Sequence, residues 1–280
     1  MDSEQIRALE ELSLNAWPAP QEILYDGWVM RFAGGYTNRA NSVAPLRAGV
    51  IDLAEKIRFC CAMYAARNLP PKFKLTAASQ PPGLEAALAG HGFRADGGAI
   101  VQVAELADLP RELDARVREH SIDDWADALV ALGEDKPENL PKLRAIVGAI
   151  ALPVSLVLMH RDNQIVAAGM GVLQERWMGL FHVVTHREHR RQGFGCAVVR
   201  SLLNWGKSKG AEHAYLQVVP DNVPARGKFP SGLRYRQTGR LSFSPGGTSL
   251  CAARSARSNF SASYQKVSIL PAGSPASRQR

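Results

Sequence analysis

The sequence predicts an α/β protein of two tandem units, each a mixed β-sheet flanked by helices, followed by a basic tail. Three observations carry that expectation. Short apolar segments alternate with amphipathic ones through residues 1–244, the pattern of a sheet packed under helices. A submotif of helix, short strand, polar-Pro turn and short helix occurs in each half, first as ARNLPPKFKLTAASQPPGLEAALAGHGF and then as SKGAEHAYLQVVPDNVPARGKFPSGLRY. The two share order more than identity. Finally, 280 residues is more chain than one domain of roughly 100–200 residues uses. The expected division is 1–108, 109–244 and a tail of 245–280.

Element by element, Glu4 to Asn15 has Ile6, Leu9, Leu12 and Leu14 near helical spacing, and Trp17-Pro18-Ala19-Pro20 ends it. Tyr25 to Phe32 reads as a strand after an Asp-Gly turn, and Asn41 to Leu46 as a second short strand. Val50 to Asn68 is a helix stopped by Pro70-Pro71, and Lys72 to Thr76 is strand-like. A helix follows Pro82-Gly83, then a strand at Ala99 to Val103 and a junction at Leu106 to Pro110. The second half opens with a possible strand at Leu113 to Val117, then helices at Asp123 to Gly133 and Lys142 to Ala151. Val154 to His160 and Gln164 to Leu173 form a hairpin around Asp162-Asn163. Met178 to Val184 is a strand, Gly195 to Gly206 a helix, and Ala214 to Val219 the next strand.

Composition narrows the function. Hydrophobic residues make up 46% and charged residues 21%, which excludes a collagen, a disulfide knot or a disordered regulator. The longest apolar run, Ala145 to Met159, is 15 residues broken by Gly148 and Pro153, short of the roughly 20 a spanning helix needs. The acidic, amphipathic N-terminus is unlike a secretory or mitochondrial signal. Four cysteines, two of them adjacent, make no disulfide framework, so a reduced cytoplasmic setting is expected. The net charge of +8 is local: ten of the 34 Lys and Arg follow Asp221, the last acidic residue, so residues 1–221 carry 24 basic and 26 acidic groups. A basic tail can hold nucleic acid non-specifically, but no base-reading motif accompanies it. From Pro245 the Ser, Ala, Arg and Gly content, with no acids, predicts disorder.

Chemistry concentrates in GLFHVVTHREHRRQGFGCAVVRSLLNWGKSKG, Gly179 to Gly210. A strand runs into Arg190, Arg191, Gln192, Gly193, Phe194, Gly195 and Cys196, where a helix starts. Glycines at 193 and 195 let the backbone turn with its N–H groups pointing inward, a receptor for pyrophosphate at a helix N-terminus. A dinucleotide fingerprint lacks its third glycine, because Val198 stands there, and Glu212 precedes the next strand rather than ending it. No Gly-Lys-Ser/Thr supports a Walker loop. R-x-x-G-x-G between strand and helix, with Asn222-x-x-Ala225 about 30 residues on, resembles the GNAT N-acetyltransferase superfamily over residues 113–229.

The resemblance implies a fold of two GNAT-like domains and acetyl-coenzyme A as co-substrate, with no metal. It places the pyrophosphate on Arg190 to Cys196, the pantetheine arm along Val183, Val184 and Thr185, and a supporting amide at Asn222. The first half, YDGWVMRFAGGYTNRANSV, lacks the loop motif before the helix from Val50, so it looks like a degenerate copy whose role is structural or to close one side of the acceptor cleft. The acceptor is an amine, small-molecule or peptide, attacking the thioester directly, with no membrane or specific nucleic acid involved. His182 is the candidate base because its pKa range suits the task. His186 and His189 are expected at the surface, and Glu134 and Asp135 read as a solvated loop, with lining of the acceptor side as the alternative. Cys196 is read as a small residue allowing close approach, and Trp177 and Trp205 as core.

Many family members carry a tyrosine acid where this sequence has Phe229, followed by the helix breaker Pro230, with Tyr235 nearby. The chain beyond about Lys228 therefore reads as diverged or altered, with the family's last strands missing or poor. The alternative reading is a non-catalytic acyl-coenzyme A binding or regulatory protein. A nucleic-acid binder acting through its tail is a third.

Overall fold

The computed structural model describes residues 1–111, 113–219 and 235–245, the last segment as backbone through residue 243. In chain order the elements are α1 (Ser3–Ala16), β1 (Gln21–Tyr25), β2 (Trp28–Phe32), β3 (Val43–Pro45), α2 (Leu53–Ala65), β4 (Phe73–Thr76), α3 (Leu84–Gly90) and β5 (Phe93–Glu105). There follow β6 (Val117–Glu119), α4 (Ile122–Ala131), α5 (Leu140–Gly148), β7 (Val154–Arg161), β8 (Gln164–Gln174), β9 (Trp177–Thr185), α6 (Phe194–Ser208), β10 (His213–Val218) and β11 (Tyr235–Pro245). Among the described residues the strands join in one mixed sheet of order β1-β2-β3-β4-β11-β5-β10-β9-β8-β7-β6.

Local chemistry accounts for most boundaries. Asp2 caps α1 by accepting from the Gln5 amide, while the Gln5 side chain accepts from the Asp2 amide, satisfying two donors that a bare helix start would leave open. Asp26 and Gly27 both have positive φ, +45° and +84°, the geometry of a two-residue hairpin turn. The expected Asp-Gly turn is therefore present, and the strand read from Tyr25 to Phe32 begins at Trp28, with Tyr25 closing β1. Ser121 caps α4 by accepting from the Asp124 amide, and Asp52 caps α2.

Other differences arise from pairing. The strand expected at Ala99 to Val103 extends to Phe93–Glu105 because it has a neighbour on each side: β10 over Ile100 to Glu105 and β11 over Phe93 to Ala104. The expected strand at Leu113 to Val117 lies instead at Val117–Glu119, where it meets β7. The poor final strand is corrected: β11 is eleven residues long and lies between β4 and β5. Tail residues 246–280, for which the sequence predicts disorder, lie outside the described residues.

The core places the elements that matter for the site. Leu9, Leu12 and Trp17, from α1 and its end, pack in one cluster with Trp125 and Leu129 of α4, and with Met170, Val172 and Phe181 of β8 and β9. On the other sheet face, α6 buries Val198, Val199, Leu202 and Leu203. Close seating of α6 depends on Gly169 of β8, where a Cβ would come within 2.5 Å of Val198 Cγ1.

Candidate active site

The site begins where two strands part. β9 and β10 run parallel and pair from Trp177↔His213 to Leu180↔Leu216. Among the described residues this ladder goes no further, although β9 continues to Thr185 and β10 to Val218. On the opposite edge of β9, pairing with β8 slips between Ala168 and Met170. His182 sits in that bulge with φ +47°, a left-handed conformation uncommon for a residue bearing a Cβ. A bulge bends its strand and increases its twist, which turns the end of β9 away from β10. The result is a slot lined by the backbone of Phe181 to Thr185, including the sequence-predicted Val183, Val184 and Thr185.

The slot leads to the loop. After Thr185 come a 3-10 turn at Arg187–His189, then Arg190, Arg191 and Gln192, and α6 starts behind Gly193. Gly193 has φ +84°, and a Cβ there would meet nothing within 4 Å, so conformation rather than space calls for glycine. Gly195 is different, since its Cβ would lie 3.0 Å from Thr185 Oγ1. No side chain caps α6, so its first amides project from the helix end with the positive end of the dipole behind them. Arg190 and Arg191 are exposed beside these amides, as is Cys196 on the first turn.

Two loop residues serve as anchors. The Gln192 amide accepts from Arg161 Nη1 at 2.7 Å and donates to the Glu188 carbonyl at 3.3 Å. Phe194 is buried, with the Arg116 and Arg161 guanidinium groups each 5.8 Å from its ring. This donor set of amides and arginines, held on a strand-to-helix turn, fits a pyrophosphate. His186 and His189, expected at the surface, are half-buried with ring centroids 5.8 Å apart. Asn222, Phe229 and Pro230 lie outside the described residues. Tyr235 opens β11.

Just past the end of the β9–β10 ladder, His182 meets two tryptophans: its ring is 4.9 Å from that of Trp17 and 5.5 Å from that of Trp125. Burial, and then the charge of Arg39, disfavours the imidazolium, while Asp135 opposes them; the pKa falls to about 4. The near-neutral range expected from sequence is therefore corrected, for the apolar surround outweighs the single carboxylate.

Asp135 accepts from the Tyr36 hydroxyl, from Asn139 Nδ2 at 2.8 Å and from the Lys136 amide at 2.8 Å. Desolvation would raise its pKa, but these bonds hold it below the ordinary carboxylate value. Glu134 is exposed. Tyr36, Thr37 and Arg39 come from the loop between β2 and β3, and Thr37 Oγ1 accepts from Trp17 Nε1 at 3.1 Å. Trp17, Tyr36, Arg39 and Trp125 escaped the sequence reading. For Tyr36 and Arg39 the one signal is the polar content of GGYTNRAN in a loop between strands.

The sequence model of the family described as "Probable histone acetyltransferase Rv0428c C-terminal" matches residues 3–242. The chain belongs to the GNAT superfamily. It is 27% identical over 255 residues to "Uncharacterized N-acetyltransferase YobR" of Bacillus subtilis, covering 86% of this chain and 96% of that protein. It is 28% identical over 214 residues to "Probable histone acetyltransferase Rv0428c" of Mycobacterium tuberculosis, covering 76% of this chain and 66% of the relative. A GCN5-related N-acetyltransferase from Kribbella flavida shares the fold at TM-score 0.59 and 17% identity, over 89% of this chain and 98% of that one. A conserved protein of unknown function from Staphylococcus epidermidis does so at TM-score 0.60 and 12% identity, over 85% and 99%.

This GNAT chain has a second strand–loop–helix passage in its first half, from β3 into α2, and there the amides are already engaged. The Asp26 carboxylate accepts from the Val50 amide at 2.9 and 3.0 Å and from the Ile51 amide at 2.9 Å. Lys56 Nζ lies 3.0 Å from the same carboxylate and donates to the Asp26 and Ala48 carbonyls. A Cβ at Gly49 would fall 2.1 Å from Asp26 Oδ2, so the glycine is what admits the carboxylate. Backbone bonds from Val50 and Ile51 hold Asp26 below its ordinary pKa. An internal anion thus fills this loop.

Proposed function

We propose that the chain transfers an acetyl group from acetyl-coenzyme A to an amine by direct attack within a ternary complex. Supporting this is the joining of the open end of the β9–β10 ladder to an uncapped, glycine-led helix start. Arg190 to Cys196 hold the pyrophosphate through amides and guanidinium groups, and the backbone of Val183 to Thr185 aligns the pantetheine arm. Asn222 is assigned a supporting contact. Acetyl-coenzyme A supplies an acyl group activated as a thioester.

The neutral amine attacks the carbonyl carbon, forming the C–N bond. The charge developing on the carbonyl oxygen is met by main-chain N–H groups of the slot. Collapse breaks the C–S bond and the thiolate leaves with its electron pair. The surplus ammonium proton passes to a base, for which His182 is the candidate. With a pKa of about 4 it is neutral at physiological pH, so it can accept but is a weak base, suited to handing the proton to water.

The division into 1–108 and 109–244 also belongs to this reading, with each unit lending its last strand to the other: β11 lies beside β4 and β5, and β5 beside β10. On this view the first unit, with its loop filled by Asp26, walls the acceptor side. No helix among the described residues is long and apolar enough to cross a membrane, and Cys60, Cys61 and Cys196 are free thiols, which supports a cytoplasmic assignment. The test is calorimetric titration of acetyl-coenzyme A into the full chain, followed by thiol release with an amine panel. Binding with amine-dependent release upholds the reading; a chain that binds but releases no thiol with any amine refutes it.

A further inference from the structure

The acceptor side carries a cation without a matching anion. Arg39 stands in the single 3-10 turn Asn38–Ala40 between β2 and β3. Its guanidinium carbon lies 5.1 Å from the Phe181 ring centroid and 5.9 Å from that of Trp17, so two aromatic faces hold it in place. Its cationic neighbours are matched: Arg31 Nε pairs with Glu22 at 2.8 Å, and Lys74 Nζ with Glu10 at 3.0 Å. Among the described residues no carboxylate pairs with Arg39. Aromatic faces attract a guanidinium but leave its N–H fork unfilled, and that fork matches a carboxylate in bidentate geometry.

Its position gives the cation a use. Phe181, under the guanidinium, follows Leu180, the last paired residue of the β9 ladder with β10, and precedes the bulge residue His182. Arg39 therefore stands at the level where the slot opens. Its charge disfavours the imidazolium of His182, and that of Asp135 favours it.

Resting on the transferase reading, we propose that Arg39 binds the carboxylate of the acceptor, and that the acceptor is a small amine carrying a carboxylate, of the amino-acid type. With the carboxylate on Arg39, the amine comes to lie beside His182 and Asp135 at the mouth of the slot. A lysine-rich peptide would bring its charges against Arg39 and is disfavoured.

The test compares free amino acids with their carboxamides, alongside a lysine-rich peptide, on the full-length protein and on Arg39→Gln and Arg39→Lys. Expected is a preference for the free carboxylate on the order of 10- to 100-fold in kcat/KM. Arg39→Gln should reduce that ratio to near one, mainly through KM, and Arg39→Lys should retain part of it. Acetyl-coenzyme A affinity and the circular dichroism spectrum should not change.

Calorimetry of the same acid and amide pairs, with acetyl-coenzyme A present and absent, reads binding without turnover. Carboxylate-dependent binding lost in Arg39→Gln would uphold Arg39 even if no acceptor were acetylated, in which case the transferase reading alone fails. Equal handling of acids and amides, or preference for the basic peptide, would overturn the Arg39 proposal and leave the transferase reading standing.

Discussion

The phenol of Tyr36 donates to the carboxylate of Asp135 across 99 positions of chain, tying the loop after β2 to the loop after α4. This bond joins the two sides of the candidate acceptor cleft. Tyr36→Phe removes the donor while keeping the ring, and should cost about 1–2 kcal/mol, moderated because water can reach half-buried Asp135. A carboxylate held below its ordinary pKa in the fold contributes stability above that pKa and loses it as pH falls. The gap between wild type and variant, read from urea midpoints, should therefore be full at neutral pH and close as pH falls through the carboxylate range.

His182 leads to a dependence in another window. With its folded pKa lowered from 6.5 to about 4, the unfolded chain takes up a proton between those values that the folded chain refuses. Stability should thus fall as pH drops from about 6.5 to about 4, and His182→Gln should flatten that limb in melting experiments. In kinetics, kcat/KM should show no acid limb near 6.5 attributable to this residue. A limb there that vanishes in His182→Gln would contradict the buried, neutral imidazole.

Gly193→Glu tests the loop. The substitution forces φ +84° on a residue with a Cβ, at a cost of about 1–2 kcal/mol, and sets a carboxylate before the amides of α6. Acetyl-coenzyme A binding should weaken by at least about 100-fold, consistent with losing charge-assisted bonds and adding repulsion. The circular dichroism spectrum should stay near wild type. Unchanged calorimetric affinity would place the pyrophosphate elsewhere.

Asp26→Ala tests the filled loop of the first half. Without the carboxylate, the Val50 and Ile51 amides and Lys56 lose an acceptor, so the melting temperature should fall. The stoichiometry of acetyl-coenzyme A should remain one per chain, because Asp52 still caps α2 and no arginine pair flanks that turn. A second molar equivalent bound by the variant would show that Asp26 alone blocks a working site.

The strand-to-helix passage at Thr185 to Cys196 was legible because its determinants are local. Glycine at 193 is required by backbone conformation, and the amides it exposes belong to the next residues along the chain. The hairpin of β7 and β8 was legible for the same reason. The long β5 and the position of β11 were not, since both depend on neighbours far away in sequence. Trp17 gave no signal as a site residue and Arg39 only that of a polar loop, for each acquires its role only when packing brings it against Phe181.

By itself the sequence determined the alternation of strands and helices, the uncapped loop before α6 and the absence of that loop before α2, because these follow from residue type and spacing within a single turn. The tertiary structure decided the rest. It inserted β11 between β4 and β5, opened the β9–β10 slot through a bulge at His182 and lowered that histidine's pKa by burial. It also set beside the slot the guanidinium of Arg39, which has no carboxylate partner among the described residues. Pairing, desolvation and charge balance are sums over distant groups, and no window of the chain contains them.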